Sequence, residues 1–220
     1  MAVIRVAAPA RYVPVEQPEM ANPFGMDESC PACPELVEHR ERVVHGYGDV
    51  AADFMFIGEA PSVAMAAGNA IGDADDPLRL LLDRLGFISS ECDESGSPRL
   101  TNAYLTHLTR CRHPDRPPSA SEIEQCAAFL SAEIRMINPE LLIPIGERVL
   151  QVLAEDHTTK DPETLELPAH HAEAIRGRGF EVLPMCDRPA LSEARRVEFI
   201  DAMEAVMGRD YRQTKGRRGR

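Results

Sequence analysis

The chain has 220 residues, about the size of one domain with tails, and its 44% apolar and 27% charged residues exclude fibrous, collagenous and wholly disordered proteins. Its 24 basic residues against 36 acidic ones give a formal net charge of −12, which excludes a uniformly basic nucleic-acid binder and leaves only local patches for that role. No apolar run reaches the roughly 20 residues that span a bilayer, and residues 1–10 are too short and interrupted for a signal peptide. A soluble, cytoplasmic monomer without membrane contact is expected.

Residues 1–26 carry Pro9, Pro14, Pro18 and Pro23 with neither helical nor strand period, and read as an irregular arm. The domain proper is expected over residues 27–207, where short apolar runs alternate with helical patterns. Residues 53–58 and 141–146 read as buried strands ending in Gly58 and Gly146, and residues 100–105 and 180–185 as two further strands. Between them Leu78, Leu81, Leu82 and Leu85 form one helical stripe. Ile123, Ala127, Leu130, Ile134 and Ile137 form another, with Ser119 and Glu122 at capping-box spacing ahead of it. A last helix is expected over residues 191–207, with Val197, Ile200, Ala205 and Met207 among its apolar positions. Residues 208–220 carry Arg209, Arg212, Lys215, Arg217, Arg218 and Arg220 against Asp210, a basic tail able to contact phosphates. This order of elements implies an α/β fold, a three-layer α/β/α domain around a four-stranded, mostly parallel sheet.

In open sheets of this kind, ligands sit beyond the carboxyl ends of the strands. Those ends would bring together Gly58, Glu59, Ala60 and Pro61, then residues 102–107, Gly146 with Glu147, and residues 186–189. The carboxylate of Glu59, the amide of Asn102 and the guanidinium of Arg188 would converge there, a set that suits a polar, planar ligand.

Six cysteines in a cytosolic chain point to metal ligation, catalysis or burial rather than disulfides. Cys30 and Cys33 form a C-x2-C pair that can reach one metal from a single turn, while Cys111 and Cys126 stand further along the chain. Four thiolates suit either a [4Fe–4S] cluster or a structural Zn²⁺, and the spacing leaves both open. Cys92 and Cys186 have no expected metal role, and His170 with His171 reads as a solvated pair lacking a third ligand.

Taken in order, several segments resemble those of the iron–sulfur uracil-DNA glycosylases of family 4, whose superfamily folds as a four-stranded parallel sheet between helices. They are the Cys30/Cys33 pair, Val44-x-Gly46-x-Gly48, and Phe56-Ile57-Gly58-Glu59-Ala60-Pro61, which is similar to the family's GEAPG. Thr101-Asn102 follows, then Arg110-Cys111-Arg112-His113-Pro114-Asp115-Arg116-x-Pro118, similar to KCRPPxNRxP, then Glu122-Ile123-x-x-Cys126 and residues 138–146. The resemblance implies that Cys30, Cys33, Cys111 and Cys126 hold a structural cluster beside a DNA-binding face. It implies that Glu59 holds the catalytic water and the cationic sugar, that Gly58, Ala60 and Pro61 shape the substrate loop, and that Asn102 hydrogen-bonds the polar edge of a flipped uracil. Arg110, Arg112 and Arg116 would contact the phosphates of single- or double-stranded DNA.

The sequence also departs from the family. The family's Gly-x-Pro-Phe-Val-Gly, whose Phe stacks on the base, is replaced by Gly68-Asn69-Ala70-Ile71-Gly72, and the last glycine of GEAPG by Ser62. The His-Pro-Ser segment becomes Asp187-Arg188-Pro189-Ala190, with Arg188 the nearest equivalent of a histidine that supports the leaving base. His107 and His113 stand near the expected site without an assigned role. Two functional readings follow: a DNA base-excision glycosylase acting on uracil or a related damaged base, and a noncatalytic iron–sulfur DNA-binding module of the same fold. A zinc-stapled nucleotide-binding protein is a third.

Overall fold

Phe54, Met55, Phe56 and Ile57 form an unbroken apolar run, which a strand can bury only when both faces of its sheet are covered. In the computed structural model, which describes residues 21–209, all four are at most 3% exposed and lie in the central strand of a six-stranded sheet. In chain order the elements are α1 (Pro34–His39), β1 (Tyr47–Gly48), β2 (Phe54–Gly58), α2 (Val63–Ala66) and α3 (Pro77–Arg84). The hairpin strands β3 (Ile88–Cys92) and β4 (Pro98–Leu100) follow, then β5 (Ala103–His107), α4 (Ala120–Ile137), β6 (Leu141–Pro144) and α5 (Glu147–His157). The last are β7 (Ile175–Arg176), β8 (Glu181–Val182) and α6 (Glu193–Met207).

The sheet order is β1-β5-β2-β6-β8-β7, with β5, β2, β6 and β8 mutually parallel and the two-residue strands β1 and β7 antiparallel at the edges. The four expected strands thus form the interior, and two edge strands too short to carry a period extend them to six. Alternation along β2 splits the core. Phe54 and Phe56 face Leu78, Leu81 and Leu82 of α3 and Phe199, Met203 and Val206 of α6. Met55 and Ile57 face Ile123, Leu130 and Ile134 of α4 and Val149, Leu150 and Leu153 of α5. This is the three-layer arrangement. Helix α4 starts on the expected capping box, Ser119 accepting from the Glu122 amide while Glu122 accepts from the Ser119 amide. No helix among the described residues is long and apolar enough to cross a membrane.

Three expectations change. The strand over residues 100–105 is two strands, because Leu100 closes the β3–β4 hairpin and Asn102, in the left-handed region at φ 54°, turns the chain into β5. On α6 the buried stripe is Phe199, Met203 and Val206, whereas Val197 and Met207 are exposed at 49% and 38%; Ala127 of α4 is exposed too. Ala21 pairs with Tyr47 and Asn22 caps Met26, so the end of the expected arm docks on the sheet edge. Residues 1–20 and the tail from residue 210 lie outside the described residues.

Candidate active site

The parallel register sets which residues share one end of the sheet. Gly58 stands opposite His107, Ile57 opposite Pro144, and Ile145 bridges Met185. The segments leaving these strands surround a cavity of about 680 Å³ lined by Gly58, Glu59, Ala60, Pro61, His107, Arg112, Arg116, Gly146, Arg148 and Arg188. This is the position where an open α/β sheet takes its ligand.

Glu59 follows β2 directly, and its Oε1 accepts from Arg148 Nη1 at 2.8 Å; the same Nη1 donates to the Pro118 carbonyl at 2.6 Å. Both side chains are about one third exposed, at 34% and 38%, so the pair adds little to stability and acts mainly to orient the carboxylate. Arg148 can reach it because α5 begins at Gly146, whose φ of 99° suits only glycine and swings the helix start over the strand ends. Ser62, in place of a glycine, accepts from the Met65 amide and caps α2.

On the neighbouring strand, beside Gly58, His107 closes β5 at 5% exposure and lines the same cavity. A Cβ on Gly58 would lie 2.9 Å from its Cδ2, so glycine at position 58 makes room for the ring. Its Nδ1 is buried without a hydrogen-bond partner. Burial, reinforced by the charges of Arg110 and Arg188, pushes its pKa down to about 3, so the ring is neutral at pH 7. Arg188 opens a 3-10 turn, Arg188–Ala190, and pairs with Asp76 Oδ2 at 2.7 Å. Asp76 also caps α3 and is buried, so the guanidinium is anchored across the cavity rim.

Arg112 borders the cavity, as does Arg116, which is bound at 2.8 Å by Glu122 and at 2.5 Å by Glu35. The Arg116 hydrogen bonds hold the Glu122 carboxyl down to about 2. Two of the expected site residues are elsewhere. Asn102 lies just before the amino-terminal end of β5, at the opposite end of the parallel strands, where its Oδ1 accepts from the Asp53 amide at 2.7 Å. It therefore does not border the cavity; the polar residue that does so from this strand is His107, whose signal in the sequence is the end of the buried run and not the Thr-Asn dipeptide. Arg110 is 2% exposed and pairs at 2.6 Å with Glu133, so it turns into the core and cannot meet DNA phosphates.

The four singled-out cysteines meet. Cys30, Cys33, Cys111 and Cys126 all border one small cavity of about 20 Å³ beside α1 and α4, together with Arg40. Arg40 Nη1 lies 3.4 Å from Cys111 Sγ and 2.8 Å from the Cys30 carbonyl, and the Arg110 amide donates to Cys126 Sγ at 3.3 Å. Burial pushes the Cys33, Cys111 and Cys126 thiols up, Cys126 to about 11, and neighbouring cysteines reinforce this. Among the described residues no three His, Cys, Asp or Glu side chains form a ready ligand set for a single metal ion. The donor set nevertheless fits a thiolate-bound centre: four sulfurs face one space, two already receive N–H groups, and a cation would relieve their mutual repulsion.

A mostly parallel α/β sheet with a polar, arginine-rimmed cleft beyond its strand ends defines a ligand-binding α/β domain with the Glu59 carboxylate on the cavity wall. A sequence profile of the uracil DNA glycosylase superfamily matches residues 45–200, and the chain belongs to that superfamily. It is 29% identical over 130 residues to a type-4 uracil-DNA glycosylase of Thermotoga maritima, covering 58% of this chain and 62% of the relative. It is 30% identical over 122 residues to a type-4 uracil-DNA glycosylase of Pyrobaculum aerophilum, covering 54% and 56%. A type-5 uracil-DNA glycosylase of Thermus thermophilus is 30% identical over 148 residues, covering 57% and 67%. The chain thus matches a little over half the length of its type-4 relatives.

Proposed function

We propose that this chain is a DNA glycosylase that hydrolyses the N-glycosidic bond of an extruded uracil or related damaged base. The observation that supports this most is the Glu59 carboxylate at the end of β2, oriented by Arg148 at 2.8 Å, in a cavity whose lining also carries a neutral imidazole and a guanidinium. The glycosidic bond is unreachable within a duplex, so the nucleotide is swung out at a cost of about a few kcal/mol. As the bond lengthens, positive charge grows on the sugar and negative charge on the base. Glu59 stabilises the first and accepts a proton from the water that adds to the anomeric carbon. Arg188 and His107 face the second, and the base leaves as an anion that takes up a proton. Donors and charges fixed in advance at the sites of developing charge are worth about 10²–10³ each in rate.

Arg112 and the basic residues from Arg209 onward would meet DNA phosphates. Cys30, Cys33, Cys111 and Cys126 would hold a [4Fe–4S] cluster. Bound, it supplies a structural staple between the amino-terminal segment, the loop after β5 and α4. Four cysteines around one space suit such a cluster, and the type-4 relatives support it over a structural Zn²⁺.

The test is incubation of anaerobically purified protein with a labelled oligonucleotide containing one uracil, scoring alkali-labile sites. The proposal expects cleavage that disappears in Glu59→Ala. DNA binding without abasic-site formation on uracil or other damaged bases would instead establish a noncatalytic module.

A further inference from the structure

Arg112, Arg116, Arg148 and Arg188 line the cavity, and they differ in what each has left to offer. Arg116 has both Nη atoms on Glu122 and Glu35, and Arg188 pairs with Asp76 at the rim. Arg148 is the one bonded to Glu59. Its Nη1 donates to Glu59 Oε1 at 2.8 Å and to the Pro118 carbonyl at 2.6 Å, so the guanidinium is held from two sides. Its Nε and Nη2 form no hydrogen bond among the described residues, and the side chain stays 38% exposed on the cavity wall. That free edge is a two-pronged donor, the geometry that matches two oxygens of one phosphate. Stability does not explain the placement. Arg148 is the second residue of α5, at the positive end of the helix dipole, where a cation is disfavoured. Its partly exposed pair with Glu59 contributes little. Orientation of Glu59 is not the whole explanation either, because a guanidinium on the carboxylate opposes the positive charge that Glu59 must stabilise on the sugar. An anion on the free edge offsets that charge.

Resting on the glycosylase reading above, we propose that Arg148 binds a backbone phosphate flanking the extruded nucleotide through Nε and Nη2 while its Nη1 keeps hold of Glu59. The phosphate neutralises the guanidinium, so Glu59 acts with its full charge on the sugar only when the DNA backbone is seated. Arg148 is a positioning residue that couples backbone seating to base release.

Binding is measured with the full-length, anaerobically purified protein on an oligonucleotide carrying one 2′-fluoro-deoxyuridine, whose fluorine opposes positive charge on the sugar and keeps the bond intact. A neutral methylphosphonate replaces each linkage flanking that nucleotide in turn. Wild type is expected to lose about tenfold or more in affinity at one of these linkages. Arg148→Met binds ordinary DNA about tenfold or more weakly, with the slope of log K against log salt reduced by about 1, and loses nothing further from the methylphosphonate. Arg148→Lys keeps the slope, since a point charge still meets the phosphate. It releases uracil from the unfluorinated oligonucleotide at least about tenfold more slowly in single turnover, because an ammonium lacks the fork that grips both groups. A residue that only braces Glu59 would leave the slope of Arg148→Met unchanged and the methylphosphonate penalty equal in both proteins; either result overturns the phosphate contact. Wild-type release by Arg148→Lys overturns the coupling. Binding is read without base release, so a wild type that shows the expected penalty but frees no uracil refutes the glycosylase reading and leaves the phosphate contact standing. Wild type that binds no DNA overturns both.

Discussion

Glu133 of α4 carries a prediction whose magnitude follows from the structure. It is 1% exposed and pairs at 2.6 Å with Arg110, itself 2% exposed; the contact lies off the hydrogen-bond axis of Nη2 and is therefore mainly ionic. Its Oε2 also accepts from Thr106 Oγ1 at 2.6 Å, its Oε1 from the Tyr104 hydroxyl at 3.0 Å, and Arg110 Nη1 donates to Thr106 Oγ1. Glu133→Ala therefore leaves a buried guanidinium unbalanced and the Tyr104 hydroxyl without its acceptor. Breaking one side of a buried pair costs about 3–5 kcal/mol. With a urea slope of roughly 2 kcal/mol/M, the unfolding midpoint of anaerobic, cluster-loaded protein should fall by about 1.5–2.5 M. The double variant Arg110→Met/Glu133→Leu removes both charges and should recover to within about 1 kcal/mol of wild type, since apolar replacement of such pairs is often neutral. A single-variant midpoint shift below about 0.3 M would refute the burial of this pair and reopen Arg110 as a surface contact.

Four further outcomes are expected. Glu59→Gln keeps the shape but loses the charge, and should slow base release by at least about a hundredfold under single-turnover conditions. Arg112→Ala should reduce the slope of log K against log salt for DNA binding by about 1, while the Arg110→Met/Glu133→Leu protein keeps the wild-type slope. Cys126→Ser should lose the brown colour of the cluster and lower the melting temperature, read by visible absorption and calorimetry. His107 gives stability that is fully present above its ordinary pKa of 6.5 and is lost as pH falls from there toward its folded value of about 3. Relative to its value near pH 7.5, the stability of wild type over His107→Leu should therefore shrink by about 2–3 kcal/mol near pH 4.5, measured by urea unfolding at both.

The interior of the fold was legible because burial leaves a pattern in sequence. Residues 54–57 and 141–145 are apolar without a break, and the leucines of α3 recur at helical spacing, so strands and helix fall where those patterns lie. The strand over residues 100–105 was displaced because Leu100 and Tyr104 read as one run, although a hairpin and a left-handed Asn102 separate them. That shift of about one turn's length carried the site with it, since the end of a parallel strand decides what faces the ligand. It exchanged His107 for Asn102. The cysteines converge as their chemistry suggested, but only folding could bring Cys30 and Cys33 to Cys111 and Cys126. Arg110 shows the limit of reading charge from composition: in a loop of three arginines, one is turned inward by a glutamate 23 positions later, and no local spacing announces it. The edge strands β1 and β7, with two residues each, exist because a neighbour offers hydrogen bonds and not because their sequence has a period.

The central claim is that Glu59 and the groups that share its cavity cut a glycosidic bond. Its most direct measurement is chromatographic detection of free uracil, with the abasic strand intact, after single-turnover reaction of the cluster-loaded protein with a uracil-containing oligonucleotide. The account predicts stoichiometric free base from wild type and none from Glu59→Ala at equal DNA occupancy. Free uracil at equal rates from both proteins, or none from wild type on DNA that it binds, would contradict it.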